Sequence, residues 1–327
     1  LKIVRSNPWE FDSPSRHRMK TERPKILVVV GPTASGKSDL AVELALKFDG
    51  EVISADSRQV YKGLDIGTGK ITPTETKGVK HYGLSIADPH ERYTVSQWKH
   101  LAEDAVADIL HRRRLPIICG GTGFYIDALI NDTKLPEIET DHEVQQSLEL
   151  QPLEALYKEL HFLDPRRAEE MKSNGSYSNK RRVIRALLIA QNLGQVPMLV
   201  SHAKYDPLMI GIMPADDEIR TRIVNRLSAR LQGGMIEEAH KLHAPGPEGY
   251  SLSYARMKEL GLEYRYLAEY LQNNLTLEEL QVTLTTKIWQ YARRQKTWWR
   301  KNTAIRWFRP GENAEAEKLV RAFLSEE

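Results

Sequence analysis

Eight consecutive residues, Gly31-Pro32-Thr33-Ala34-Ser35-Gly36-Lys37-Ser38, have the types and spacing to hold a phosphate. Gly31 and Gly36 allow successive backbone N–H groups to turn inward around an oxygen, a turn that a Cβ would block. Lys37 adds a point charge, and the Ser38 hydroxyl suits a Mg²⁺ ion shared with phosphate oxygens. Two further candidates follow in the chain: Asp56, which closes Glu51-Val52-Ile53-Ser54-Ala55, and the glycine turn Gly120-Gly121-Thr122-Gly123. A phosphate cradle beside a lone carboxylate can grip a charged leaving group while the carboxylate accepts a proton.

The flanking segments supply the elements that must position these groups. The apolar run Ile26-Leu27-Val28-Val29-Val30 leads into the first loop and an amphipathic stretch from Asp39 to Lys47 leaves it, the strand–loop–helix order of a P-loop. The helix contributes its positive end to the same spot. Asp56 ends a second strand, and Pro116-Ile117-Ile118-Cys119 forms a third that opens into the glycine turn. Parallel α/β sheets gather their chemistry at the carboxyl ends of strands, which sets Asp56 beside the phosphates. Where many ATP-hydrolysing P-loop proteins carry an acidic metal ligand, the third strand ends in glycine. That pattern fits a site that grips phosphates without transferring the terminal one. Asp56 itself reads as a base, a magnesium ligand or a loop anchor.

The 327 residues suffice for one large or two modest domains, and 41% hydrophobic with 28% charged residues describes a soluble globular chain. No apolar run approaches the roughly 20 residues of a membrane-spanning helix. Cys119 is the only cysteine, which excludes an internal disulfide and a thiolate metal cluster. The cytoplasm is the expected compartment and a monomer the expected state. A net charge of +3 says little, but residues 287–309 hold eight Lys/Arg and no acid, the asymmetry of a polyanion-binding face.

In chain order, residues 1–24 read as a disordered tail, with Met19 or an alternative codon at Leu1 as the expected start. Residues 25–135 form the first part of a P-loop α/β core. Within it, the glycine-rich stretch 61–70 should cover the site, and Thr94 with Gln97 makes a capping box for a helix ending at His111. Residues 136–178 read as a small helical insertion and 179–250 as the second part of the core. The latter includes a helix begun by Lys180-Arg181-Arg182, a strand at 207–213 and a capped helix from Asp216 to Gln232. Residues 251–309 should form helices over 253–272 and 276–301 and a last strand at 304–308, with 310–327 a helix or tail. His240 and His243 lack partners at metal-ligand spacing. In the 276–301 helix, Ile288, Tyr291, Ala292, Gln295, Trp298 and Trp299 form a packing stripe. Arg293, Lys296 and Arg300 form a basic stripe suited to RNA phosphates, with Arg294 beside it.

These motifs, with Ser-Ala-Asp-Ser-Arg-Gln at 54–59, Tyr-Lys-Gly-Leu-Asp-Ile-Gly-Thr-Gly-Lys at 61–70, Val-Lys-His-Tyr at 79–82, Arg-Arg-Val-Ile-Arg-Ala-Leu at 181–187 and Gln-Tyr-Ala-Arg-Arg-Gln-Lys-Thr-Trp at 290–298, resemble the tRNA dimethylallyltransferase (tRNA isopentenyltransferase) family, bacterial type. The resemblance runs from about Lys25 to Phe308. It implies transfer of a dimethylallyl group from its diphosphate to N6 of the adenosine just 3′ of a tRNA anticodon, with Mg²⁺ as cofactor and the anticodon stem-loop as partner. It makes Asp56 the base and sets Thr122 in the reaction channel. Lys37 and residues 31–38 hold the diphosphate. Ser57, Arg58 and Gln59 face the flipped-out adenosine. It gives Arg181, Arg182 and Arg185 to the diphosphate or to RNA phosphates, undivided among them.

The chain departs from the family at Gln145, where relatives often carry arginine, at Gly69, where many carry alanine, and in a short insertion. The rival readings are an adenylate isopentenyltransferase acting on free AMP, ADP or ATP, a small-molecule P-loop kinase, and a non-catalytic RNA-binding protein. The basic, tryptophan-rich helix weighs against the first. ATP consumption would mark the second, and indifference to loss of Asp56 the third.

Overall fold

The computed structural model describes residues 23–133, 135, 136, 138, 142–198, 202–245 and 251–326. Most of the expected tail and of the 244–249 linker lies outside the described residues. The first half of the chain runs β1 (Lys25–Val30), α1 (Lys37–Lys47), β2 (Gly50–Ser54), β3 (His81–Tyr82), α2 (Val95–His111), β4 (Leu115–Gly120) and α3 (Gly123–Ile130). Four helices follow, α4 (His142–Leu150), α5 (Leu153–Leu163), α6 (Pro165–Ser173) and α7 (Lys180–Leu193). The remainder is β5 (Asp206–Ile212), α8 (Asp216–Gln232), α9 (Met235–His243), α10 (Tyr254–Leu260), α11 (Leu262–Leu271), α12 (Leu277–Trp299), β6 (Arg306–Phe308) and α13 (Asn313–Ser325).

The strands form one parallel sheet in the order β3-β2-β4-β1-β5-β6. β1 is central, pairing Leu27 with Ile117 on one side and Val28 with Met209 on the other. Its side chains alternate between two cores: Ile26, Val28 and Val30 face α2 and the C-terminal helices, while Leu27 and Val29 face α1 and α13. Cover on both faces explains an uninterrupted apolar run. Trp98 of α2 is fully buried, stacks on Tyr125 at 4.7 Å and donates its indole N–H to the Ser54 carbonyl at 2.9 Å. That contact locks the end of β2, from which the chain enters the site. No described helix is long and apolar enough to cross a membrane.

Three expectations need correction. α7 does not belong to the sheet core: Val183, Leu187 and Ala190 pack with Leu156, Leu160 and Met171 into a separate cluster, so the insertion's packing extends past residue 178. The helix expected over 253–272 is two, α10 and α11, broken where Gly261 adopts φ +153° with the Arg58 side chain 3.3 Å from where its Cβ would lie. Nor does a side chain cap α8; its first turn carries Asp216, Asp217 and Glu218 instead. The box at Thr94 and Gln97 forms as read, and Thr276 with Glu279 makes a second.

Candidate active site

The loop after β1 turns through Gly31 (φ +158°) and Gly36 (φ +92°). A Cβ at Gly31 would fall 2.7 Å from the Ile212 carbonyl, so this position requires glycine. Thr33, Lys37 and Ser38 face a cleft of about 920 Å³ at the carboxyl edge of the sheet. The Lys37 ammonium rests 3.3 Å from the Pro32 carbonyl, and burial holds its pKa below the usual lysine value. An anion entering the cleft would favour its charged form. Cys119 lies beside it, and burial raises its thiol to about 11, which makes it a packing residue.

Asp56 follows β2 on the same cleft. Its Oδ1 accepts from the Arg58 and Gln59 amides at 2.8 and 3.4 Å, so this oxygen fixes the turn that carries Ser57, Arg58 and Gln59 along the wall. One carboxylate is therefore a loop anchor and still leaves Oδ2 for chemistry. Thr122, expected in the reaction channel, contacts Ser57, which lines the cleft. Its Oγ1 accepts from the Ser57 amide at 3.2 Å and its own amide donates to the Ala55 carbonyl, which ties the second glycine turn to the base of Asp56.

Cations outnumber acids eleven to four around the cleft, a field suited to polyanions. Two of these cations, Arg226 and Arg230, are not singled out by the sequence reading; with Arg222, which lies off the cleft, they recur at every fourth position of α8. Arg222 donates to the Ser35 carbonyl at 3.3 Å, and Arg226 lines the cleft near Lys37. Arg230 lies against Gly69, and burial lowers its pKa to about 10. The i, i+4, i+8 spacing was the available signal. Glu263 lines the same wall, and burial raises its pKa against the pull of Arg230.

Gln295, expected on the packing stripe of α12, is a polar clip. Its Oε1 accepts from the Thr33 amide at 2.8 Å and the Thr33 hydroxyl at 3.1 Å, and its Nε2 donates to the Gly121 carbonyl at 3.1 Å. Both glycine turns thus hang on α12, and the Thr33 amide is spent on Gln295.

The arginines expected at the diphosphate separate. Arg181 lines the cleft, whereas Arg182 lines a second cavity with Arg293, Trp298 and Asp127. Arg185 donates to the Pro136 carbonyl at 3.1 Å, away from both. The basic stripe of α12 divides as well. Arg294 borders both cavities, Arg300 is exposed and borders neither, and Lys296 is buried in an ion pair with Asp216. Gln145 accepts from Arg92 at 3.1 Å, so a guanidinium reaches that part of the wall from another element. Among the described residues no cluster of three or more His, Cys, Asp or Glu is arranged to hold a metal. Nδ1 of His243 pairs with the Leu252 carbonyl.

A parallel α/β sheet with a glycine loop and a carboxylate on one cation-rich edge has the P-loop-like arrangement of a site suited to phosphorylated ligands. The IPP transferase family profile matches residues 59–302 and the isopentenyl transferase profile residues 24–86. The chain is 36% identical to the tRNA dimethylallyltransferase of Anoxybacillus flavithermus across 92% of its length and 95% of that protein's. It is 38% identical to that of Halalkalibacterium halodurans, covering 87% and 90%. Its structure is similar to the full-length tRNA isopentenylpyrophosphate transferase of Bacillus halodurans, with TM-score 0.67, 35% identity, and 92% and 97% of the two chains covered. The chain belongs to the tRNA dimethylallyltransferase family and is a prenyltransferase.

Proposed function

We propose that the chain transfers the dimethylallyl group of dimethylallyl diphosphate to N6 of the adenosine 3′ to the anticodon in tRNA. The observation that carries this reading is the shared cleft: the Asp56 carboxylate, with one oxygen tied to its turn, opens onto the cavity that Lys37 and Ser38 also line. In the step, the N6 lone pair forms a bond to C1 of the allyl group as the C1–O bond to diphosphate breaks. The bonding electrons leave on the diphosphate, and the N6 proton passes to Asp56. Adenine N6 is a poor nucleophile because its lone pair is delocalised, so proton removal as the bond forms lowers the barrier. Lys37 and the loop amides that face the cleft oppose the charge growing on the leaving group, with Arg226 added from α8. Residues 57–59 and the cations of α12 take the RNA side, where the adenosine must leave its stack to reach Asp56.

The donors present fit Mg²⁺. Ser38 offers one hard oxygen on the cleft that Asp56 also lines, and this ion ordinarily completes its shell with substrate phosphates and water rather than an all-protein cage. Bound there with the diphosphate, it would neutralise part of the leaving group's charge. We further propose that the chain acts as a cytoplasmic monomer.

The test is incubation of the purified chain with labelled dimethylallyl diphosphate and either an anticodon stem-loop or AMP. Label on the stem-loop adenosine supports the reading; label on AMP alone, or ATP consumption in place of transfer, refutes it. Asp56→Ala should lower turnover by about 10²–10⁴-fold with tRNA binding largely kept. Equal losses of rate and binding would remove Asp56 as the base.

A further inference from the structure

Glu238 of α9 does not line the cleft, yet its carboxylate accepts four hydrogen bonds from groups that lead to it. Oε2 accepts from the backbone amides of Asp65 and Ile66 at 2.9 and 2.7 Å. Oε1 accepts from the Gly67 amide at 2.9 Å and from the Tyr264 hydroxyl at 2.5 Å. Three successive amides converging on one anion make a nest, and bonds to an ionised acceptor are about twice as strong as neutral ones.

The nest holds a turn that itself closes through Ile66 O to Gly69 N at 3.0 Å and Asp65 O to Lys70 N at 2.9 Å. Beyond it, Thr68 and Gly69 reach the cleft. The Gly69 carbonyl accepts from Gln59 Nε2 at 3.3 Å, and the Arg230 guanidinium rests where a Cβ of Gly69 would stand. Gln59 and Arg230 both line the cleft, one next to the turn that Asp56 anchors, the other within its electrostatic reach. Tyr264 packs flat on the loop, since a Cβ at Gly67 would lie 2.6 Å from its hydroxyl. A continuous path of contacts thus joins Glu238, outside the cleft, to two groups inside it.

We propose that Glu238 is a positioning residue for prenyl transfer, fixing the 65–67 turn so that Gly69 holds Gln59 and Arg230 in register with Asp56. This rests on the function proposed above. Glutamine at 238 keeps the size of the side chain but loses charge and acceptor capacity, so it cannot answer all four donors. The turn loosens, and its consequence appears at the reacting groups, where a shift of about 1 Å can cost up to a hundredfold in rate.

The experiment uses the full chain with an anticodon stem-loop and dimethylallyl diphosphate. Wild type must transfer the label; its failure would condemn the proposed function rather than Glu238. In Glu238→Gln, kcat per folded molecule should fall about 10- to 100-fold. The KM for dimethylallyl diphosphate should stay within about threefold, because among the described residues no hydrogen bond joins the 31–38 loop to the turn. Amide exchange at residues 65–67 should quicken. Tyr264→Phe, which leaves the three amides bound, should keep kcat within about threefold. Gly67→Ala perturbs the same turn from the loop side with Glu238 intact and should lower kcat as Glu238→Gln does. A wild-type kcat in Glu238→Gln overturns the proposal, as does a rise in KM that matches the fall in kcat. An equal loss in Tyr264→Phe would assign the effect to the Tyr264 hydroxyl rather than to the three amides and overturn it too. Should Glu238→Gln fail to fold, Gly67→Ala decides alone, and an unchanged kcat there is fatal.

Discussion

Gln295 offers a direct measure of how firmly α12 holds the phosphate loop. It is 6% exposed and makes three hydrogen bonds, two to Thr33 and one to the Gly121 carbonyl. Gln295→Met keeps the volume and leaves the Thr33 amide and the Gly121 carbonyl without their partner. A buried group so orphaned costs about 1–3 kcal/mol, and the Thr33 hydroxyl adds little because it can turn to the cleft. Water can reach Thr33 from the same cleft, which lowers its share. The expected loss of stability is therefore about 2–4 kcal/mol, read from urea unfolding by linear extrapolation. Gln295→Glu keeps the acceptor for Thr33 but sets a carboxylate oxygen against the Gly121 carbonyl and a negative charge beneath the loop. Its binding of inorganic diphosphate should weaken beyond that of Gln295→Met. If Gln295→Met costs less than about 0.5 kcal/mol and binds diphosphate as wild type does, α12 does not brace the loop.

Three further outcomes follow from the same structure. Arg112, ahead of Arg114 and Tyr82 and against the effect of burial, holds the Glu51 carboxyl down from 4.5 to about 2. This contribution is complete above about pH 4.5 and is lost as pH falls toward 2, so wild type should lose about 1–3 kcal/mol more than Glu51→Gln over that interval; superimposable acid limbs in the two stability profiles would exclude it. Arg294→Ala should weaken tRNA binding and reduce the slope of log K against log salt by roughly one, whereas an unchanged slope returns Arg294 to the solvated surface. Gly69→Ala places a Cβ about where Arg230 Nη2 now lies, 1.5 Å away, at a φ of +60°; transfer should slow several-fold as Arg230 is displaced, and wild-type turnover would show that Arg230 has no fixed post.

Local chemistry was legible from local sequence. The glycine loop, the capping box at Thr94 and the 216–232 helix all form at the residues that their patterns marked. β3 was invisible because two residues carry no alternation, and parallel pairing with Val52 and Ile53 alone defines it. Gly261 reads as a tolerated helix glycine until Arg58 is seen across it. Gln295 shows the limit most plainly: its partner Thr33 lies 262 residues away, and a glutamine on a buried stripe looks like packing until that partner is known. The α8 arginines were a different failure. Their spacing of four was visible, but a basic helix face ordinarily means solvent, and only the fold brings Arg226 and Arg230 to the cleft wall.

The resulting site makes one helix serve both ends of the proposed reaction. α12 grips the two glycine turns through Gln295, and within the preceding two turns of the same helix Tyr291, Gln290 and Lys287 face the cleft with Arg294. Leu280, Leu284, Ile288, Ala292 and Trp299 bury its other side against the core. A helix anchored this way has little slack, so under the proposed function the loop given to the diphosphate and the cations given to the RNA would keep a near-constant separation. In-line displacement at an allylic carbon demands such a constant distance between the attacking amine and the leaving oxygen. An apolar stripe in the sequence therefore has a functional consequence: packing α12 tightly sets the geometry in which Asp56, Lys37 and the arginines of α8 meet.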